Sequence, residues 1–289
     1  MALEQLKIHE IVRQAVGKSV DVPEFQRDFV WDPEQVKLLV ESLYRDYPVG
    51  SFLLWDSSEY QESKTARGTQ ASLWIVDGQQ RTTALCLLLG QKPYWWASAE
   101  KWNSALERND VMVNVSPEEG DGRVEFALPN PVRRRDPRWV SVRRILGSER
   151  VEDLTPLAQE VVKGVTADPS RQIELFGRVH GHMQRLWQIR ERDIPVVKIT
   201  HEVEDVAEIF SRLNRQGTRV KEADVTLALA AARNPGWVRN VYLPFRNELE
   251  ERGWDLDAGI FIRTMTGVGH GRARLIDVPK DFWSPTNLP

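Results

Sequence analysis

Leu73-Trp74-Ile75-Val76-Asp77-Gly78-Gln79-Gln80-Arg81-Thr82-Thr83-Ala84-Leu85-Cys86-Leu87-Leu88-Leu89 is the stretch on which the fold turns. Its first four residues form a short apolar run, the pattern of a strand buried on both faces. Asp77-Gly78 makes a turn, and Gln79 to Leu89 reads as a helix capped by Gly90 and closed by Pro93. A strand that feeds a helix through a glycine turn leaves backbone N–H groups unpaired at the positive end of the helix, where phosphate can bind. Gly78 lets a ligand approach the backbone, Gln79, Gln80, Thr82 and Thr83 supply neutral donors and acceptors, and Arg81 can pair with phosphate oxygens. Asp77 is placed to hold a divalent cation such as Mg2+ that bridges phosphates. The plainer reading is an Asp-Gly turn followed by an arginine in a surface ion pair, and a motif this short does not decide between the two.

Working outward, Phe52-Leu53-Leu54-Trp55 is a second buried strand, and the charged stretch Asp56 to Ser72 between the two reads as a solvent-exposed loop. Upstream, Asp32 as N-cap and Pro33 at the first helical position open a helix whose buried stripe is Val36, Leu39, Val40 and Leu43 and which stops near Asp46. Val20 to Pro23 is extended, and Leu6 to Val16 carries Ile8, Ile11, Val12 and Ala15 at helical spacing. Downstream, Val111 to Val115 and Arg123 to Leu128 predict a hairpin. Val140 to Leu146, Asp153 to Val165 and Ser170 to Ile189 read as helices, followed by a strand at Ile194 to Ile199. Val203 to Leu213, Lys221 to Ala232, Gly236 to Arg252 and Ala258 to Thr266 are further helices. The expected class is α/β (α+β): a core over residues 1–100, then a mixed and mainly helical portion over 101–289 that packs on it and completes the site.

A chain of 289 residues buries enough surface to need no disulfide, and its single cysteine, Cys86, lies in an apolar run. That excludes an internal disulfide or a cysteine-cluster metal site and fits a reducing cytoplasm. No apolar stretch approaches the roughly 20 residues that span a bilayer, and the N-terminus lacks the form of a secretory signal, so no membrane partner is expected. A net charge of -3 gives no global pull towards nucleic acid, so any DNA contact must come from a local patch. Of the 39 basic side chains 29 are arginine, which suits anion binding but also follows from genome composition.

Two further clusters have chemical potential. In Phe25-Gln26-Arg27-Asp28-Phe29-Val30-Trp31, aromatics interleaved with Gln26 and Arg27 could stack on a base and hold phosphate. Read plainly, Phe25, Phe29 and Trp31 enter the core and Arg27 pairs with Asp28 or Glu34. Glu208 to Gly217 is a helix ending in a turn at Asn214-Arg215, either an ordinary C-cap or part of a site facing the other two motifs.

Taken together, Phe25-Gln26-Arg27 with Trp31, Pro48-Val49-Gly50-Ser51 before Leu53-Leu54-Trp55, Val76 to Leu85, and Ile209-Phe210-Ser211-Arg212-Leu213-Asn214 with Gly217 stand in an order that resembles the N-terminal domain of GmrSD-type restriction endonucleases. The resemblance spans about residues 6 to 232 and implies a ParB/sulfiredoxin-like core. It also implies a domain that binds and hydrolyses a nucleoside triphosphate, GTP or ATP, with Mg2+, and that helps detect modified DNA in an anti-phage restriction system.

By that analogy Asp77, Gln80 and Arg81 are catalytic, Asp77 holds the metal, and Gln26, Arg27, Gly78, Gln79, Thr82 and Asn214 bind the nucleotide. Phe29 or Trp31 would read the DNA modification. Many relatives continue into a His-Asn-His-type nuclease, whereas the five histidines here, His9, His180, His182, His201 and His270, are scattered. Cleavage is therefore expected from a nuclease domain or partner subunit, and the chain from a longer protein or a two-subunit system; a homodimer is compatible with either. Two other readings compete. One is a non-catalytic ParB-like DNA-binding domain gripping phosphates through Arg133, Arg134 and Arg135, with Arg138, Arg143 and Arg144 beside them; the other is a metal-dependent DNA nickase built on Asp77.

Overall fold

The two apolar runs that flank the charged loop pair with each other inside a five-stranded mixed sheet, shown by a computed structural model that describes residues 2–22, 29–56, 73–96, 98–117, 124–201, 205–206, 209, 226–227, 230, 234, 236–254, 256, 258–272, 274 and 278–287. The elements of the first half are β1 (Ala2–Lys7), α1 (Ile8–Val16), β2 (Val20–Asp21), α2 (Pro33–Tyr44), β3 (Phe52–Asp56), β4 (Leu73–Asp77) and α3 (Gln79–Leu89). There follow α4 (Ala99–Arg108), β5 (Met112–Asn114), β6 (Glu125–Ala127), β7 (Trp139–Ser141), α5 (Val142–Leu146), α6 (Leu154–Val165), α7 (Pro169–Trp187) and β8 (Asp193–Ile199). Near the C-terminus lie α8 (Leu243–Glu251) and α9 (Ala258–His270).

The large sheet has the order β1-β8-β3-β4-β2, with β8 parallel to β3 and β3 antiparallel to β4. Because side chains alternate along a strand, β3 sends Phe52 and Leu54 into the main core beside Ile75 and Val196. Leu53 and Trp55 go to the other face, with Trp74, Val76, Ile199 and Val206. Both faces are covered, which is why these strands read as unbroken apolar runs. The antiparallel sheet β6-β5-β7 contains the expected hairpin. The main core runs from Ile8 to Val196, and a second cluster gathers Leu227, Trp237, Tyr242, Ile262 and Trp283.

Local chemistry explains the elements that the sequence made plain. Asp32 accepts from Gln35 N at 2.9 Å while Gln35 Oε1 accepts from Asp32 N at 3.0 Å, a reciprocal cap on α2. Helix α3 is buried from Thr82 to Leu89, so it lies inside the protein rather than on it, and Gly90 ends it in the left-handed conformation at φ 70°.

Helix α4 was not expected, and three of the expected elements differ. The first helix begins at Ile8 rather than Leu6, because Ala2 to Lys7 pairs antiparallel with β8 as a largely exposed edge strand. Residues 139–141 form β7 against β5 before the helix at Val142, so the expected helix over Val140 to Leu146 is shortened. Gly236 to Arg252 contains a wide turn at Val238–Tyr242: Pro244, at the start of α8, has no N–H to give to the regular ladder. The expected helices over Val203 to Leu213 and Lys221 to Ala232 fall largely outside the described residues, as does the expected loop over Asp56 to Ser72.

Two outcomes test this packing. A Cβ built at Gly78 would lie 2.5 Å from Phe52 Cδ1 on a backbone at φ 102°, so Gly78→Ala should destabilise the fold by about 2–4 kcal/mol, read as a lower urea midpoint. Cys86 is buried and its thiol is pushed up by burial, so a disulfide reagent at mildly alkaline pH should leave the native chain unmodified and label it after unfolding. Fast labelling of the native chain would contradict the buried position of α3.

Candidate functional site

The corner where β4 becomes α3 is built around Arg81. Gly78 is the N-cap of α3 at φ 102° and supplies no side-chain cap, and the first turn carries no acidic residue. The β3–β4 register shifts between Leu53 and Leu54, next to the Leu53–Asp77 pair, and such irregularities re-aim the side chain at the strand end.

Arg81 turns inward. Its Nη1 donates to the Val49 carbonyl at 2.7 Å, its Nη2 donates to Asp77 Oδ2 at 2.9 Å, and its guanidinium sits 4.9 Å from the centre of the Phe52 ring. Only 16% of its side chain is exposed, against 43% for Asp77. The chain makes room with glycine: a Cβ at Gly50, whose φ is 82°, would stand 2.6 Å from Arg81 Nη1. Thr82 is also committed inward, since its hydroxyl donates to the Gly78 carbonyl at 3.0 Å and the residue is fully buried with Thr83.

The sequence-predicted residues therefore divide. Asp77, Gly78, Gln79, Gln80, Arg81 and Thr82 share one corner, and of these Asp77, Gln79 and Gln80 keep part of their side chains at the surface. Arg81 and Thr82, assigned above to phosphate contact, are used to hold the turn. In the plainer reading Arg81 was a surface ion pair; the pair with Asp77 exists, but the guanidinium is mostly enclosed.

Phe29 and Trp31 are half-buried and packed against the main core, and Val30 N donates to Gln80 Oε1 at 2.9 Å, tying that segment to the first turn of α3. Gln26, Arg27 and Asn214 lie outside the described residues.

Arg133, Arg134 and Arg135 form a short 3-10 turn between β6 and β7, in the second sheet's connections. Arg133 is held by the Leu128 carbonyl at 3.0 Å and by the Trp139 ring at 5.1 Å, while Arg134 and Arg135 are exposed. Arg138 is bound to Asp136, whose carboxyl is held below its ordinary value chiefly by hydrogen bonds from Arg138. Arg144 is paired with Glu160.

Sequence reasoning did not single out Trp96, Lys101 or Arg108. They join Phe29 and Trp31 in lining a cleft of about 530 Å3 between the segment before α2 and the exposed face of α4. The cue was available: Lys101, Ser104, Ala105 and Arg108 recur at helical spacing just after Trp95-Trp96. Among the described residues no group of three or more His, Cys, Asp or Glu is placed to hold a metal. Among them, too, no helix is long and apolar enough to cross a membrane.

A sequence profile described as GmrSD restriction endonuclease, N-terminal domain, matches residues 8–231. An uncharacterized protein of Methanocaldococcus jannaschii is 29% identical over 91 residues, a match covering 26% of this chain and 15% of that relative. The chain thus spans a small part of the curated relative it matches. The profile runs from α1 through the Arg81 corner and past β8, and the chain belongs to the family of GmrSD restriction endonuclease N-terminal domains.

Proposed function

We propose that this domain binds and hydrolyses a nucleoside triphosphate, GTP or ATP, at the β4–α3 corner. In this reading it couples the nucleotide to recognition of modified DNA in an anti-phage restriction system, and a nuclease domain or partner subunit cuts. The observation that carries the proposal is the half-exposed Asp77 carboxylate, held on one oxygen by Arg81 at a helix start whose cap offers no side chain to the first-turn amides. Family membership supports it.

The residues at the corner fit a magnesium ion of the kind that takes one carboxylate and completes its shell with water and phosphate oxygens. Asp77 would hold the ion, which supplies charge neutralisation to the phosphates. The α3 amides, with Gln79 and Gln80, would orient phosphate oxygens. Arg81 acts through Asp77 and the Val49 carbonyl as a positioning residue, and Thr82 fixes the Gly78 turn. A ParB/sulfiredoxin-like ancestry for the sheet, cytoplasmic location and homodimer formation belong to the same reading.

One observation favours a second reading, DNA gripping without catalysis. Arg134 and Arg135 are exposed on the turn between β6 and β7, and neither has an acidic partner among the described residues.

For the first reading the deciding variant is Asp77→Asn, which keeps an acceptor for Arg81 but removes its counter-charge, and which should cost about 1 kcal/mol of stability while leaving the chain folded. Magnesium-dependent triphosphate binding by calorimetry and phosphate release should both fall by at least tenfold. If the variant binds and hydrolyses like the parent, the corner is not the site. For the second, Arg134→Gln with Arg135→Gln should lower the slope of log affinity against log salt on duplex DNA by about 1.8, at ~0.9 per lost phosphate contact. An unchanged slope removes this strip from the DNA interface.

A further inference from the structure

The cleft of about 530 Å3 beside α4 has two unlike walls. One is aromatic: Phe29 and Trp31 from the segment before α2, with the half-buried Trp96 at a ring distance of 6.4 Å from Phe29. Trp96 is fixed from behind by an edge contact to the buried Trp102 at 5.2 Å, so its indole is held rather than free to swing. The other wall is the face of α4 that carries Lys101, Ser104 and Arg108. Both cations are exposed, and among the described residues neither has an ion-pair partner and Glu100 is the one carboxylate lining the cleft. At the inner end, Asn109 donates from Nδ2 to the Ala105 carbonyl, while its Oδ1 is enclosed without a donor, an acceptor that a ligand N–H could satisfy after a small shift.

Flat π-faces opposite unpaired cations match the chemistry of a nucleobase and its phosphates. The spacing argues for a strand rather than a free mononucleotide. Lys101 and Arg108 are seven residues apart, about 10.5 Å along a helix at 1.5 Å per residue, which suits successive phosphates better than one. We propose that this cleft binds an unstacked nucleotide of single-stranded or locally opened DNA, with its base against Trp96, Phe29 and Trp31 and its flanking phosphates on Lys101 and Arg108. The inference rests on the DNA-recognition half of the function proposed above and is independent of triphosphate hydrolysis.

The test uses the full chain and a fluorescently labelled oligothymidylate, with anisotropy measured across a range of salt. Lys101→Gln with Arg108→Gln changes two exposed helix positions and should leave the melting curve unaltered. It should weaken binding roughly tenfold and lower the salt slope by about 1.4, at ~0.7 per phosphate contact on single strands. Trp96→Phe retains a ring against Trp102 and should weaken binding several-fold while leaving the salt slope unchanged, which separates stacking from charge. Failure of the parent to bind, or a salt slope that the double variant does not alter, overturns the proposal. So does displacement of the strand by thymidine monophosphate at equal nucleotide concentration, since the occupant would then be a free nucleotide. Measuring Asp77→Asn alongside keeps the two ideas apart: lost hydrolysis with intact strand binding supports both. A parent that hydrolyses nothing yet shows the slope change leaves the cleft standing and removes only the triphosphate site.

Discussion

The inward turn of the Arg81 guanidinium organises this part of the molecule. A guanidinium stays charged at any ordinary pH, and one that is mostly enclosed must have its donors and its charge answered locally. Here the Val49 carbonyl, the Asp77 carboxylate and the Phe52 ring do so from three directions. Each of the three comes from a different stretch of backbone, so one side chain ties the loop before β3, the start of β3 and the end of β4 to the first turn of α3. The glycines follow from this arrangement: Gly50 leaves space for Nη1, and Gly78 leaves space for the ring on which the guanidinium lies.

This changes what the Asp77 to Arg81 motif means physically. Read in isolation, its arginine is a phosphate ligand; in the folded chain it is the anchor that fixes where Asp77 points. An Asp-to-Ala change would leave part of an enclosed cation unanswered and confuse structural damage with lost chemistry. Asparagine keeps a carbonyl acceptor for Nη2 while removing the charge that a metal would need, so its structural cost is smaller than that of alanine and the proposed chemistry is tested on a chain that keeps this hydrogen bond.

The parts of the fold that were legible from sequence share one trait: their determinants are close together in the chain. The Asp32 cap with Gln35, the Val36-Leu39-Val40-Leu43 stripe and the doubly covered strands at Phe52 and Leu73 are all local patterns. β1 was not legible because its partner is β8, on the far side of α7, and an exposed edge strand shows little alternation. β7 was hidden for the same reason, since Val140 is fixed by Val113 rather than by its neighbours. At the site the contrast is sharper. The i,i+4 spacing of Asp77 and Arg81 announces their ion pair, but nothing near Arg81 in sequence announces the Val49 carbonyl that draws it inward. The cleft beside α4 was obscured differently: α4 was not among the expected elements, and its cations form a wall only once Phe29 and Trp31 are folded across it.

The corner and the cleft are adjoining features joined by a hydrogen bond from Val30 N to Gln80 Oε1. Gln80 belongs to the first turn of α3, and Val30 sits between the two aromatic residues of the cleft wall. If a ligand at the helix start recruited the Gln80 side-chain oxygen, the Val30 amide would have to find another acceptor or water. The backbone carrying Phe29 and Trp31 would then lose a constraint. The reverse also holds, because a base that displaced the aromatic wall would free Gln80 to reorient. Linkage requires any such coupling to act equally in both directions. If both proposed sites are occupied, the shared amide and side-chain oxygen give a direct physical route by which occupancy of one would alter the other, without movement of the buried body of α3.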